Sequence, residues 1–163
     1  LETVELTVLI DNVLQQRSLD IKRKNLTVNH NKSPIKLKVN GKQLSVVLDN
    51  LLSNAIKYST NNDDITIDCS ISNGQLKLAV IDQGSGITKN QQEKIFDAFY
   101  QGTPAENTNI KGSGLGLTIV KELLMRLNGS IKMKSDTGIK SGTAMTIYLP
   151  NAFHERTDVG GKN

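Results

Sequence analysis

The chain has 163 residues, enough for one domain of ordinary size with a buried core and too few for two. Hydrophobic residues make up 37% of it and charged residues 22%, which excludes a disordered segment and a membrane-spanning one. The net charge of +4 comes from residues 1–42, and too few aromatic side chains accompany these basic residues to predict nucleic-acid binding.

The single cysteine, Cys69, excludes an internal disulfide and a cysteine-rich metal site, and this fits a reducing compartment. The chain begins at Leu1 rather than at a methionine, within what reads as a helix. We therefore expect a fragment of a longer protein. Because its longest uncharged apolar runs are only a few residues, we also expect this fragment to make no direct contact with a membrane.

The first part of the chain predicts a helix, two short strands and a second helix. Apolar residues recur at helical spacing from Val4 to about Ser18, with Thr3 as a candidate N-cap. Alternating residues predict strands over 25–28 and Ile35–Val39. The helical stripe returns from about Gly41 to Ser59 and is the strongest periodic signal in the sequence.

The second part predicts two hairpins and two helices around a long irregular segment. The predicted elements are strands at 65–71 and 76–81, a short helix at 88–96, a helix at 114–127, and strands at 130–135 and 143–149. Residues 97–113 show no period, and an irregular segment this long within a compact domain is typical of a functional lid. The fold class predicted is an α/β (α+β) sandwich, with a mixed sheet covered on one face by about three helices.

A glycine-rich stretch opens the last predicted helix. Gly112, Gly114 and Gly116 precede the helix interior, so free backbone N–H groups and the positive end of the helix dipole face the stretch. This arrangement favours binding of a phosphate, although close helix packing or simple flexibility explains such glycines equally well. The stretch is not a Walker loop, because no Gly-Lys-Ser/Thr follows.

The second predicted helix carries polar residues on one face. Asn50, Asn54 and Lys57 stand at i, i+4 and i+7, opposite the apolar stripe. An ordinary solvated face is one interpretation. The other is a ligand site, because amide oxygens suit a hard cation such as Mg²⁺ and a lysine can neutralise phosphate charge.

Asp82 follows the strand at 76–81 directly and is succeeded by Gly84 and Gly86. A carboxylate at a strand end can accept a hydrogen bond from a ligand amine that approaches bare backbone. An Asp-initiated turn without a ligand is the alternative.

Taken in order, four segments resemble the asparagine, first glycine, phenylalanine and second glycine boxes of sensor histidine kinases. They are Asn50–Tyr58, Asp82–Ile87, Ile95–Phe99 and Gly112–Leu117, and Ser141–Pro150 is similar to the family's terminal strand. The resemblance spans roughly residues 4–150 and implies the catalytic, ATP-binding domain of such a kinase. It implies a Bergerat-type fold, of the superfamily shared with gyrase and mismatch-repair ATPases. We expect this domain to occupy 1–150 and a polar, flexible tail to occupy 151–163.

The resemblance also implies roles for individual residues. Asn54 would be the main Mg²⁺ ligand with Asn50 assisting, and Lys57 would face phosphate, so these three are the implied catalytic residues. Tyr58 would face the adenine, and Asp82 would accept from its exocyclic amine. Guanine has a carbonyl at that position, so this contact predicts ATP over GTP.

The remaining implied nucleotide contacts fall into three groups, the base pocket, the lid and the phosphate end. By group they are Gly84, Gly86, Ile87 and Thr143; Phe96 and Phe99; and Lys111, Gly112, Ser113, Gly114, Leu115, Gly116 and Leu117.

The sequence departs from the family at Asn40, where an acidic residue is common. In the ATPase relatives a general-base Glu stands at the position of Asn50, and an amide cannot take that role, so hydrolysis should be slow. Asp49 is adjacent but should point toward solvent.

Neither histidine resembles the family's phosphoacceptor, and His30 and His154 are predicted to be surface residues. By analogy the acceptor histidine and dimer interface would lie N-terminal to Leu1, on a domain that also contacts a response regulator. The isolated domain would be monomeric and cytoplasmic, within a parent that is an inner-membrane sensor. The alternatives are an anti-sigma-factor serine kinase, an ATP-driven conformational ATPase, and a non-catalytic module whose pocket serves protein interaction.

Overall fold

The structure, a computed structural model, describes residues 1–97 and 116–154. The helices are α1 (Leu6–Gln16), α2 (Ser18–Arg23), α3 (Gly41–Tyr58), α4 (Lys89–Gln92) and α5 (Gly116–Arg126). The strands are β1 (Glu2–Glu5), β2 (Thr27–His30), β3 (Ile35–Val39), β4 (Asp64–Ser72), β5 (Gln75–Asp82), β6 (Ser130–Asp136), β7 (Gly142–Leu149) and β8 (Ala152–His154). In this part of the chain, none of the helices combines the length and the apolar character that a bilayer crossing requires.

The strands form two sheets. The larger has five strands in the order β2-β4-β5-β7-β6, in which β2 and β4 are parallel and the other pairs antiparallel. The smaller has three antiparallel strands in the order β1-β3-β8. The predicted fold class, a mixed sheet with helices in an α+β sandwich, is confirmed. The separate three-stranded sheet was not predicted.

Helix α3 is the centre of the helical layer. It packs between α1 and α5 and against β5. Its inward side chains are at most 4% exposed, and Leu44, Leu51 and Ile56 are at most 1% exposed. Each such side chain contributes about 1.5–3 kcal/mol on burial, so the apolar stripe fixes the rotation of the helix. The opposite, polar face is thereby held at a defined position above the sheet.

Both ends of α3 are capped by local hydrogen bonds. At the start, the Asn40 side chain accepts a 3.0 Å hydrogen bond from the Gln43 backbone N–H. Asparagine is as good an N-cap as aspartate, so the missing acidic residue costs the helix little. At the end, the backbone N–H and the hydroxyl of Ser59 both donate to the Ala55 carbonyl. The predicted bounds are therefore correct to within one residue.

The N-terminal prediction is wrong in its first residues. Glu2–Glu5 is a strand paired with Ile35–Val39, and the helix begins only at Leu6. The N-cap is Glu5 rather than Thr3, and its side chain makes no capping hydrogen bond. The spacing of Val4 and Leu6 suits a strand as well as a helix, and the deciding partner, β3, is more than 30 residues away in the sequence.

Two later elements also differ from expectation. The short helix predicted at 88–96 is only Lys89–Gln92, preceded by Thr88 in a capping box with Gln91. Where a polar tail was expected from residue 151, Ala152–His154 pairs with β3 and completes the small sheet. The rest of the predicted tail, 155–163, and the predicted lid from residue 98 onward lie outside the described residues.

Candidate nucleotide site

The polar face of α3 forms one wall of the site. Asn50, Asn54 and Lys57 are half-buried, as the spacing predicted, while the apolar residues between them face the core. The Asn50 Nδ2 donates a 2.8 Å hydrogen bond to the Val46 carbonyl one turn earlier. This bond directs Oδ1 toward the start of α5, where it lies 2.9 Å from the position that a Cβ on Gly116 would take. The amide therefore presents its acceptor oxygen to the site.

Lys57 and Tyr58 end the same helix. The Lys57 ammonium lies 5.7 Å from the centre of the Tyr58 ring, within range of a cation–π interaction. Partial burial lowers the pKa of Lys57, because desolvation disfavours its charged form. A desolvated ammonium gains more from a nearby anion than a hydrated one does, which suits it to a phosphate.

Asp82 is the buried acid of the site. It is the last residue of β5, is only 5% exposed, and lies opposite Thr143 in the β5–β7 register. Its carboxylate accepts backbone hydrogen bonds from Gly84, at 3.0 Å, and from Thr143. Burial raises the pKa of Asp82 from 3.8 to about 6, against the lowering effect of these two bonds, and the negative charge of Asp63 raises it further. The protein keeps this carboxylate where it is costly to ionise, and such groups cluster at functional sites.

Two glycines allow the loop after β5 to approach neighbouring backbone. A Cβ added at Gly84 would overlap the Tyr58 carbonyl oxygen, so the end of α3 and the loop are in direct contact. Gly86 has a φ of +79°, and a Cβ there would overlap the Asp136 carbonyl oxygen. Glycine is required at both positions by close approach, and at Gly86 also by the positive φ.

Ser135 joins the loop after β5 to β7 beside the predicted base-pocket residues, and this role was not predicted. Its hydroxyl accepts a 2.7 Å hydrogen bond from the Ile87 N–H and donates to the Gly142 carbonyl at 3.0 Å. It also shares a 2.7 Å hydrogen bond with the hydroxyl of buried Thr143. Because Ser135 lies opposite Thr143 in the β6–β7 hairpin, the predicted hairpin register could have identified it.

The segments on either side of residues 98–115 are joined to each other. The Thr118 hydroxyl donates a 2.8 Å hydrogen bond to the Phe96 carbonyl, and the Lys121 ammonium lies 5.8 Å from the centre of the Phe96 ring. Gly116 and Leu117 begin α5 beside this contact. The other predicted contacts, Phe99, Lys111, Gly112, Ser113, Gly114 and Leu115, lie outside the described residues.

Asp49 does not point into solvent as expected. Its carboxylate accepts two hydrogen bonds from the Arg17 guanidinium, at 2.7 and 2.8 Å. This bidentate pair raises the pKa of Arg17 and ties α3 to the end of α1. Asp49 is thus engaged away from Asn50 and does not replace the missing general base.

The prediction for His30 was wrong. Its side chain is only 6% exposed, on the same side of β2 as partly buried Val28, and its Nδ1 lies 4.0 Å from Asp11 Oδ1. Desolvation lowers the pKa of His30. The alternation along β2 indicates this inward position. His154 is exposed, as predicted.

The fold and this site together define an ATPase-type domain with a mixed sheet, an asparagine-bearing helix and a buried aspartate beside two glycines. Residues 39–152 match the family of histidine kinase-, DNA gyrase B- and HSP90-like ATPases. The chain belongs to that family.

Individual relatives are sensor kinases. The sensor-like histidine kinase SenX3 of Mycolicibacterium smegmatis is 39% identical over 107 residues, which cover 66% of this chain and 27% of SenX3. Among solved structures, the mycobacterial sensor histidine kinase MprB aligns with a TM-score of 0.77 at 27% identity, over 91% of this chain and 96% of the MprB chain. Full-length ShkA in complex with AMPPNP aligns with a TM-score of 0.76 at 23% identity, over 91% of this chain and 30% of ShkA, which shows a common fold. The chain thus spans about a quarter of the length of SenX3.

Proposed function

We propose that this domain binds Mg²⁺·ATP and transfers the γ-phosphoryl group to a histidine of a dimerisation and phosphoacceptor domain, in two-component signal transduction. The observation that carries the proposal is the buried Asp82 carboxylate, which accepts hydrogen bonds from Gly84 and Thr143 beside the end of α3. Membership of an ATPase family and the sensor-kinase relatives support it. ShkA, which shares the fold, has been solved with the ATP analogue AMPPNP.

The base end of the pocket would recognise adenine through Asp82. The carboxylate has acceptor capacity beyond its two backbone bonds, and an exocyclic amine supplies the matching donor. Tyr58, Gly84, Gly86, Ile87 and Thr143 would enclose the base, with Thr143 held by Ser135.

The metal and phosphate end would lie along the polar face of α3. The donor set fits magnesium, because Asn50 presents its amide oxygen to the site and Asn54 stands one helical turn further along the same face. Bound there, Mg²⁺ would supply neutralisation of phosphate charge. Lys57 would orient the phosphates, and residues 111–117 would bind them through backbone N–H groups.

Catalysis in this proposal comes from positioning rather than from a general base. Phosphoryl transfer requires little covalent help from the protein, so an amide at Asn50 suits transfer to a tethered histidine and predicts slow hydrolysis. The acceptor domain and a response regulator are the proposed partners. We further propose that 1–150 is the catalytic unit, that it is monomeric alone, and that it is located in the cytoplasm as part of an inner-membrane sensor.

Titration of a fluorescent adenine nucleotide with and without Mg²⁺ tests the pocket. Asn54→Ala should abolish the Mg²⁺-dependent gain in affinity, whereas Asp82→Asn should weaken binding with or without metal. Asn12→Ala, on the exposed face of α1, and Asp68→Asn, at an exposed position of β4, are the matched controls. Unchanged affinity in both test variants, or equal affinity for ATP and GTP, would contradict the assignment.

Addition of a separately expressed acceptor domain tests the reaction. We expect phosphate on the acceptor that is labile in acid and stable in base, as phosphohistidine is. Phosphate stable in acid would indicate a serine kinase. Rapid release of inorganic phosphate without acceptor would indicate a conformational ATPase, and nucleotide binding without either reaction a non-catalytic module.

A further inference from the structure

Lys24 lies beneath the end of the helix that carries the site. It follows α2, and its ammonium donates to three backbone carbonyls, those of Ile56 at 2.7 Å, Lys57 at 3.2 Å and Ser59 at 2.8 Å. An ammonium has three N–H donors, so all of them are used on this one helix end. The sequence does not predict this role for Lys24, because the nearest of its acceptors is 32 residues away in the chain.

The acceptors are groups that a helix cannot satisfy itself. The last carbonyls of an α-helix have no partner within the helix, and a cation placed there also complements the helix dipole. Partial burial lowers the pKa of Lys24, opposed by the nearby negative charge of Asp63. A partly desolvated ammonium therefore stabilises the end of α3.

The end of α3 is in direct contact with the loop that holds the adenine-binding carboxylate. The Tyr58 carbonyl lies against Gly84, with no room for a Cβ between them. The Gly84 N–H in turn donates to Asp82 Oδ1 at 3.0 Å. A shift of the helix end would therefore move the group that orients the Asp82 carboxylate.

A second set of hydrogen bonds joins the turn at Lys24 and Asn25 to the segment after α3. The Lys24 carbonyl accepts a 2.9 Å hydrogen bond from the Asn62 N–H. The Asn25 side chain donates to Asn62 Oδ1 at 2.7 Å. The Lys24 ammonium thus binds the end of α3 itself, and the turn at Lys24 and Asn25 binds Asn62 in the segment that follows the helix.

We propose that Lys24 is a positioning residue for the base end of the nucleotide pocket, which sets affinity for the adenine moiety by fixing the end of α3 against Gly84 and Asp82. The inference rests on the proposed nucleotide site. The effect of Lys24 should be confined to the base end of that site. Asn50 and Asn54 lie one to two turns back along α3, where the core-facing stripe rather than Lys24 holds the helix.

Lys24→Met tests the proposal, since it keeps the apolar stem and removes the ammonium. Affinities for adenosine and ADP should both fall about tenfold, a loss of about 1.4 kcal/mol. The ratio of ADP affinity with Mg²⁺ to that without should stay at the wild-type value. Lys24→Arg should restore most of the affinity, and Lys22→Met, at an exposed position two residues earlier, should bind as wild type.

A merely structural role gives a different result. In that case Lys24→Met would lower the free energy of unfolding, yet bind adenosine as wild type at a temperature where the variant is folded by circular dichroism. That outcome, or a loss confined to the Mg²⁺-dependent part of ADP affinity, would overturn the proposal. If the wild-type protein itself binds neither adenosine nor ADP, the proposed function fails first and this inference with it.

A second variant covers the case in which Lys24→Met does not fold. Asn25→Gly removes the side-chain bond to Asn62 while suiting the positive φ of 50° at that position. Adenosine affinity should fall about threefold, a loss of about 0.7 kcal/mol, again with an unchanged Mg²⁺ ratio. Wild-type adenosine affinity in a folded Asn25→Gly protein would contradict the role of this turn.

Discussion

Replacement of Asp82 by asparagine should make the protein more stable and less able to bind nucleotide. The buried carboxylate has a pKa of about 6 against 3.8 for an ordinary aspartate. Each unit of pKa corresponds to about 1.4 kcal/mol, so ionised Asp82 costs the native state about 3 kcal/mol at neutral pH. Asparagine removes that cost but gives weaker hydrogen bonds with Gly84 and Thr143, which leaves an expected gain of about 1–3 kcal/mol.

The sign of the pH dependence follows from the raised pKa. Between pH 4 and pH 6 the native state binds more protons at Asp82 than the unfolded state does. The Asp82 contribution to stability therefore falls as pH rises through this window, and it is constant above it. The advantage of Asp82→Asn over wild type should accordingly be largest at pH 7.5 and disappear near pH 4.

Urea unfolding of both proteins without ligand, from pH 4 to pH 8, measures this difference. Asp68→Asn, at an exposed position of β4, is the control and should change stability by less than about 0.5 kcal/mol at any pH. A variant that is less stable than wild type by the same amount at pH 4 and pH 7.5 would refute the reasoning. Calorimetric titration with ADP should show the opposite effect, a loss of affinity in the more stable protein.

Three further predictions concern packing and strain. Gly86→Ala should lower the free energy of unfolding by about 2 kcal/mol or more, because its φ is +79° and a Cβ would overlap Asp136; urea unfolding measures it. Leu51→Ala should cost about 2–5 kcal/mol in the same assay, since Leu51 is 1% exposed at the centre of the helical layer. Cys69 should resist alkylation in the native protein, because burial raises the pKa of its thiol to about 12, and should react in urea.

The chain offers a matched control for each of the two substitutions. Gly138→Ala should be nearly neutral, because within the described part of the chain no atom beyond its two chain neighbours lies within 4 Å of the position of its Cβ. Val46→Ala, 43% exposed on the same helix as Leu51, should change stability by less than about 0.5 kcal/mol. An equal loss in test and control would contradict the packing argument, and rapid native alkylation of Cys69 would contradict its burial.

The sequence predicted best those elements whose determinants are local. Helix α3 was located to within one residue because its apolar stripe lies within the helix itself. The hairpin of β4 and β5 was located by the Asn73-Gly74 turn. The small sheet was missed because its four-residue and three-residue outer strands acquire their identity only from β3, far away in the chain.

In the site, too, residues set by the local sequence were predicted and those set by distant contacts were not. Asp82, Gly84 and Gly86 are recognisable from the sequence because a carboxylate and two glycines follow a strand within five residues. Lys24, which binds the helix end that contacts Gly84, is not recognisable, because it reaches the end of α3 only after α1, α2 and β2 are in place. Ser135 falls between these cases, since hairpin pairing alone places it opposite Thr143.

The parallel pairing of β2 with β4 has a consequence for the order of assembly. The connection between these neighbours contains β3 and the whole of α3, so Thr27 meets Asp64 only after an intervening stretch of 36 residues has been accommodated. Such non-local closures are slow steps in folding. Protection of the β2 amides from hydrogen exchange should therefore be acquired together with that of α3, and the edge of the large sheet and the wall of the pocket should form as one cooperative unit.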